Sequence, residues 1–342
     1  MPCAILAGRL VRARGHYGFP VLLVCGEAVL DLISDGSAAG YQARPGGSPV
    51  NVAVGCARLG IATSLLGRLG HGPFGRMIRT HLTDAEVDLR WSVSVDEPVT
   101  LAIVTLDSAG QAEYHFYTDG TADWGWQRSE LPDPLPEQIR ALHVGSIASW
   151  RAPAADLIAD LVARESQRGE VLISFDPNLR PALVQDPAST HGNIEQSVEL
   201  ADLVKVSVAD LGWLYPRTDP DAAARRWARR GPALVVMTDG AKGARGYLPG
   251  RPALPVPASE VAVVDTVGAG DAFTAGLLAA LADRGRLHRH GLDDLQKSEL
   301  HAVLAHAGLV AALSCARPGA DPPTHDRLDA ELKMRIPRHP SP

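Results

Sequence analysis

The amino-acid sequence predicts an α/β protein: a three-layer α/β/α sandwich around a mostly parallel central sheet, with a small β-sheet projecting from it as a lid. Three observations lead there. Short, fully apolar runs recur along the chain, segments of helix length separate them, and one interval alternates in the manner of a hairpin. A strand covered on both faces has no polar side and reads as a continuous apolar run. Parallel neighbours need a crossover, usually a helix, to join them.

Val21-Leu22-Leu23-Val24-Cys25 is the first such run, closed by Gly26. After a Gly-rich turn, Val50 to Leu59 carry apolar residues at near-helical spacing and stop at Gly60, and Thr63-Ser64-Leu65-Leu66 reads as the next strand. Val99 to Asp107 alternates, Ser108-Ala109-Gly110 reads as a turn, and Glu113-Tyr114-His115-Phe116-Tyr117 alternates again, which predicts a β-hairpin. A hairpin is out of place in a parallel sheet, so this piece and part of Ile33 to Arg44 are expected to form the lid, over about 33–45 and 92–126. The body resumes with strands at Leu142-His143-Val144, Val171 to Phe175, Leu203 to Val206 and Leu234 to Met237, each followed by a helix-length segment. Between Val264 and Leu281 a strand is expected to run into Asp265-Thr266-Val267-Gly268-Ala269-Gly270-Asp271 and then a helix rich in Ala and Leu. The expected organisation is an extension over 1–20, one domain over 21–330 and a tail over 331–342.

Of the 342 residues, 46% are hydrophobic and 21% charged, and 33 basic against 39 acidic side chains leave a formal charge of −6. That balance argues against general affinity for nucleic-acid phosphates, and no run of eighteen consecutive apolar residues points to a membrane. Cys3, Cys25, Cys56 and Cys315 are scattered with no paired metal-ligand spacing, which suits a reducing cytoplasm. The twelve histidines form no H-E-x-x-H, and His288-Arg289-His290 reads as a solvated loop. No transition metal is expected. Arg9, Arg12 and Arg14 follow rather than precede the apolar residues of the first segment, unlike a secretion signal.

The chemistry concentrates at Gly268-Ala269-Gly270-Asp271. Small residues opening a helix let backbone N–H groups approach an anion, and the helix N-terminus adds partial positive charge. The dipole is expected to keep Asp271 ionised, able to accept a proton from a hydroxyl aimed at a phosphoryl group. In a loose transition state that proton leaves late, so the carboxylate chiefly orients the hydroxyl. The ordinary alternative is an acidic helix cap after a Gly turn.

Together with Gly46-Gly47-Ser48-Pro49-Val50-Asn51-Val52-Ala53 and Gly67-Arg68-Leu69-Gly70, this segment resembles the ribokinase-like carbohydrate kinases, also called the phosphofructokinase-B family. The resemblance runs from about Leu22 to Leu328. Bacterial fructokinases are the nearest likeness, through the first signature, Phe175-Asp176-Pro177-Asn178-Leu179-Arg180 and Lys205-Val206-Ser207. Kinases of 2-keto-3-deoxygluconate share the Asp-Pro-Asn-x-Arg stretch and are the rival; ribose kinases usually carry Lys where Ser48 stands.

The resemblance implies a ribokinase-like fold and ATP-dependent phosphorylation of a sugar. It implies that Asp31 accepts hydrogen bonds from sugar hydroxyls, that Gly46, Gly47 and Asn51 shape the other side of the pocket, and that Arg180 meets a sugar oxygen, a carboxylate or a phosphate. Read by themselves, Asp31 could form a turn, Asn51 could cap a helix and Arg180 could make a surface ion pair. Lys205, Ser207, Thr238, Gly240 and Gly243 fall on the nucleotide side, and Asp210 is expected to reach Mg²⁺ through water. Asp265 and Cys315-Ala316-Arg317-Pro318-Gly319-Ala320 are expected beside a potassium ion. Asp176 and Asn178 are expected to hold their loop.

Gly72, His306 and Thr118 replace an Asp, an Asn near the adenine and an Arg that are common in the family. Gly70-His71-Gly72-Pro73-Phe74-Gly75 matches a dinucleotide fingerprint formally, but Pro73 and Phe74 suit an open pyrophosphate turn poorly, and no P-loop occurs. A sugar-binding regulator without turnover is the reading from another class. A homodimer through an exposed lid edge is expected.

Overall fold

The computed structural model describes residues 21–34, 40–106 and 112–335. The expected extension over 1–20, the hairpin turn at Ser108-Ala109-Gly110 and residues 336–342 of the expected tail lie outside them. In chain order the strands are β1 (Leu22–Cys25), β2 (Val29–Ser34), β3 (Tyr41–Gly46), β4 (Thr63–Leu66), β5 (Arg68–Gly70), β6 (Val93–Val95), β7 (Thr100–Leu106), β8 (Ala112–Tyr117), β9 (Ala141–Gly145), β10 (Leu172–Asp176), β11 (Leu203–Ser207), β12 (Leu234–Thr238), β13 (Ala244–Tyr247) and β14 (Leu254–Val256). The helices are α1 (Ser48–Arg58), α2 (Pro73–Asp84), α3 (Ala154–Arg168), α4 (Pro187–Leu200), α5 (Val208–Leu214), α6 (Pro220–Trp227), α7 (Ala269–Asp283), α8 (Lys297–Cys315) and α9 (His325–Arg335).

Eight strands form the central sheet in the order β14-β13-β12-β11-β10-β9-β1-β4. The pairings are parallel from β12 to β4, and β13 and β14 add antiparallel strands at one edge. Alternate residues leave the sheet on opposite faces. Leu22, Val24, Leu172, Leu203 and Leu234 join a core with residues of α1, α7 and α8. Leu23, Leu142, Ile173, Val204 and Val235 join a second core with residues of α3, α4 and α6. Both faces are therefore covered, as the apolar strands require.

β2, β3, β7 and β8 form the separate lid sheet in the order β3-β2-β7-β8, with β7 and β8 antiparallel as expected. The lid enters earlier than the sequence suggests, at Val29. Residues 93–95 pair with β5 of the body instead of the lid. The strand expected before Asp265 does not form. The N–H groups of Val264 and Asp265 both donate to the Cys315 carbonyl at the end of α8, and Val263 and Val264 remain exposed. An apolar run with no sheet edge beside it cannot complete a ladder.

Candidate active site

Several polar residues lie at the carboxyl ends of the central strands, where parallel sheets open towards ligands. α7 starts there, behind Gly268 in a left-handed conformation (φ 71°). Asp271 is in its first turn and 5% exposed. One carboxylate oxygen, Oδ1, accepts from Ser48 Oγ at 2.7 Å and Asn178 Nδ2 at 3.1 Å, and Oδ2 accepts from Asn51 Nδ2 at 2.8 Å. Ser48 and Asn51 project from the start of α1. A methyl group on Gly55 would lie 2.6 Å from Ala275 Cβ, so this glycine lets α1 and α7 cross closely enough to bring those side chains to Asp271.

Burial raises the Asp271 carboxyl above its ordinary value, opposed by the Ser48 and Asn51 hydrogen bonds and the charges of Arg180 and Lys205. The sequence expectation had the helix dipole keeping this group ionised; enclosure acts against that effect.

Asp31 stands on β2 opposite Arg44 of β3. Burial and the nearby Asp271 charge push its carboxyl up to about 6, against the pull of Arg180. A methyl group on Gly46 would lie 2.4 Å from Asp31 Oδ2, and Gly47 holds a positive φ of 92° at the cap of α1. The first signature thus leaves room for the carboxylate and turns the chain into α1. Arg180 Nη1 donates to the Asn178 carbonyl at 3.1 Å and to Asn178 Oδ1 at 2.6 Å, which aims the Asn178 amide at Asp271. Asn178 has a left-handed backbone (φ 38°), and its N–H donates to Asp176 Oδ1. It therefore both holds the loop and touches Asp271.

Lys205 is buried, and its Nζ lies 2.9 Å from Asp176 Oδ2. Ser207 and Asp210 form a reciprocal cap at the start of α5, with Ser207 Oγ donating to Asp210 Oδ2 at 2.7 Å and accepting from the Asp210 N–H at 3.0 Å. Asp210 Oδ1 accepts the Leu179 N–H at 3.0 Å. This carboxylate is buried, spans two loops and is poorly placed to coordinate a metal directly. Among the described residues no group of three or more His, Cys, Asp or Glu side chains could hold a metal ion. Thr238 ends β12, and Gly240 (φ 49°) and Gly243 (φ 94°) make the tight turn after it. Gly243 packs so closely on the chain after β14 that a methyl group would lie 2.2 Å from the Val256 carbonyl oxygen.

Asp265 joins two loops, its Oδ1 accepting the Val267 N–H at 3.0 Å and its Oδ2 the Gly319 N–H at 2.7 Å. A methyl group on Gly268 would stand 2.4 Å from Ala320 Cβ, so the 315–320 loop rests directly on the turn that opens α7. Ala269 and Gly270 complete that turn, with the Ala269 N–H donated to the Thr266 carbonyl at 3.2 Å, and the buried Asp271 carboxylate follows directly.

The model of the pfkB family carbohydrate kinases matches residues 22–327. The chain belongs to the pfkB family of carbohydrate kinases. A fructokinase from Rhizobium leguminosarum bv. trifolii is 36% identical to this kinase over 283 residues, covering 82% of this chain and 85% of the relative. The crystal structure of a Xylella fastidiosa fructokinase with bound ATP superposes with a TM-score of 0.85 at 27% identity, covering 92% of this chain and 99% of that one. A Vibrio cholerae O395 fructokinase double mutant, in a form binding fructose, ADP and a potassium ion, gives a TM-score of 0.79 at 32% identity over 90% of this chain and 97% of the other. The kinase is thus an ATP-dependent carbohydrate kinase with the ribokinase-like fold.

Ser48 and Asn178 are members of the Asp271 cluster that reading the sequence did not connect with it. Ser48 sits inside the first signature, so its position was visible while its partner, 223 residues away, was not. Thr118 is buried, and its carbonyl holds Thr121. His306 lines a cavity of about 390 Å³ with Asp283, Arg284 and His325, beside the end of α7 opposite Asp271. α8 is long and apolar enough to cross a membrane, but half of that stretch is buried, and it packs against α7, β13 and β14.

Proposed function

We propose that the kinase phosphorylates a hydroxyl of fructose. The hydroxyl oxygen bonds to the γ-phosphorus of ATP, ADP leaves, and Asp271 accepts the hydroxyl proton. The observation that carries this reading is the buried carboxylate in the first turn of α7, fixed by Ser48, Asn51 and Asn178 beside the Gly268-Ala269-Gly270 turn. The N–H groups of that turn would stabilise charge on the transferring group, and the raised basicity of Asp271 suits proton transfer. Asp31 and Arg180, with Gly46 and Gly47 keeping the pocket open, would engage the sugar. Thr238, Gly240 and Gly243 would border the nucleotide.

Fructose is preferred because the Rhizobium relative is a fructokinase and the Vibrio neighbour binds fructose. Magnesium would arrive on the nucleotide phosphates, with Asp210 and Ser207 acting no nearer than through water, since the Asp210 carboxylate is committed to Leu179 and Ser207. A potassium ion would sit between the loops that Asp265 ties together, held by their carbonyl oxygens; the potassium-bound Vibrio structure supports this choice. The unpaired Cys25 and Cys56 suit the cytoplasm. Edge strands β3 and β8 of the lid, with Tyr41 and Tyr117 exposed, suit pairing with a second copy.

The test is a kinetic panel of fructose, 2-keto-3-deoxygluconate and ribose with ATP and Mg²⁺, read as ADP release. The highest kcat/KM is expected for fructose. A preference for the acid sugar would overturn the substrate assignment, and sugar binding without ADP release would make the protein a regulator.

A further inference from the structure

A buried row of polar groups runs beneath the first turn of α7. Lys205 on β11 and Asp176 on β10 pair at 2.9 Å, both nearly inaccessible (4% and 1% exposed). Thr274, one turn beyond Gly270 on α7, donates from its Oγ1 to the Gly270 carbonyl at 3.1 Å and to Asp176 Oδ2 at 3.4 Å. A methyl group on Gly270 would lie 3.0 Å from Lys205 Nζ, so the ammonium rests directly under that residue. On the other side, Asp176 Oδ1 accepts the Asn178 N–H, and the Asn178 amide reaches Asp271. The ion pair is thus in contact with the turn and, through one residue, with the carboxylate.

A buried ion pair is a poor source of stability, because desolvation offsets most of its attraction. Its position suggests another use. We propose that Lys205 is a positioning residue for phosphoryl transfer: a fixed cation, held by Asp176 beneath Gly268-Ala269-Gly270, that adds positive potential to the turn and to Asp271. This rests on the reading of Asp271 as the base and goes beyond the nucleotide-side role the sequence implies for Lys205.

The charges around the pair support it. Burial works against the Lys205 ammonium, but Asp176, Asp210 and Asp271 together hold its pKa above the ordinary value, so it stays charged. Asp271 faces Asp31 from the lid, Arg180 from the loop after β10 and Lys205 from below. His143 on β9, hydrogen-bonded to Ser174, is pushed down to about 3 by burial and by Lys205, so it adds no charge near neutrality. Removing Lys205 would leave Asp271 with one cation fewer, and its proton would be held to higher pH.

The test compares Lys205→Met, Lys205→Arg, Lys205→Met with Asp176→Asn, and Asp271→Asn, using kcat against pH and KM for ATP. Lys205→Met is expected to lower kcat on the order of 10²-fold, the scale of losing one preorganised donor. Its acid limb should move up by about one pH unit, with KM for ATP little changed. Lys205→Arg keeps the charge and should keep the limb where it is. Should Lys205→Met not fold, the double variant decides, because its neutral pair leaves no buried charge alone. A rise in KM for ATP with kcat and limb unchanged would make Lys205 a nucleotide ligand and overturn the proposal, as would an unmoved limb in Lys205→Met or, where only the double variant folds, an unchanged kcat in it. Asp271→Asn separates the two readings: if it turns over normally, the base assignment fails; if it is inactive while the limb of the Lys205 variant stays put, only the Lys205 proposal fails.

Discussion

Substituting Gly268 by Ala probes the junction on which the phosphoryl-binding turn rests. The added methyl would stand 2.4 Å from Ala320 Cβ and 3.0 Å from Ala320 Cα, against about 3.5–4.0 Å for comfortable carbon contacts. Relief requires the 315–320 loop or the start of α7 to move. Overpacking of this kind costs about 1–3 kcal/mol, and the left-handed backbone at φ 71° adds about 1–2 kcal/mol for a residue with a Cβ. The expected loss is about 2–5 kcal/mol, read from urea unfolding. A turn displaced by about 1 Å should also lower kcat on the order of 10²-fold. Adding Ala320→Gly removes the nearer contact, to Cβ, but leaves the 3.0 Å contact with Cα and the backbone cost, so the double variant should recover part of the stability and part of the turnover. Wild-type stability and turnover in Gly268→Ala, or no recovery on adding Ala320→Gly, would refute the reasoning.

Asp31 provides a pH signature. Its carboxyl is raised to about 6 chiefly by burial, so the neutral form is favoured by the fold, and the stability this adds is lost as pH rises from the ordinary value through 6. Sugar recognition runs the other way: the ionised acceptor is lost below that pH, so kcat/KM for the sugar should fall through pH 6 while KM for ATP stays flat. Initial rates from pH 5 to 8 check this, and Asp31→Asn should abolish the pH dependence of sugar binding. For the lid, backbone amides of β7 and β8, Ile103 and Phe116 among them, should gain hydrogen-exchange protection when sugar binds, since closure excludes water. Unchanged exchange would argue for a static lid.

Much of the body was legible because its strands are buried on both faces. Leu22 to Cys25, Val171 to Phe175 and Leu234 to Met237 are apolar at every or nearly every position, a pattern that suits a covered sheet. Val263 and Val264 carry the same local signal and form no strand. The Val264 N–H bonds instead to the Cys315 carbonyl, a partner set by tertiary packing and invisible to local pattern. The lid hairpin was readable from alternation, whereas the pairing of β2 with β7 joins residues some 70 positions apart and has no local trace.

At the site, Asp271 was found through its glycines, but the three side chains that hold it come from α1 and from the loop after β10. No spacing rule connects Ser48 or Asn178 to a residue 223 or 93 positions away. Nor did the sequence disclose that burial raises the Asp271 carboxyl, because enclosure depends on how α1 crosses α7 at Gly55. Asp210 illustrates the converse. The family resemblance placed it near Mg²⁺ through water, and in the fold its carboxylate also caps α5 and holds Leu179.

The most direct test of the central claim is kcat for Asp271→Asn with saturating fructose, ATP and Mg²⁺, measured as ADP release. A loss on the order of 10²–10⁴-fold is expected, with ATP binding preserved. Turnover close to that of the unmodified protein would contradict it.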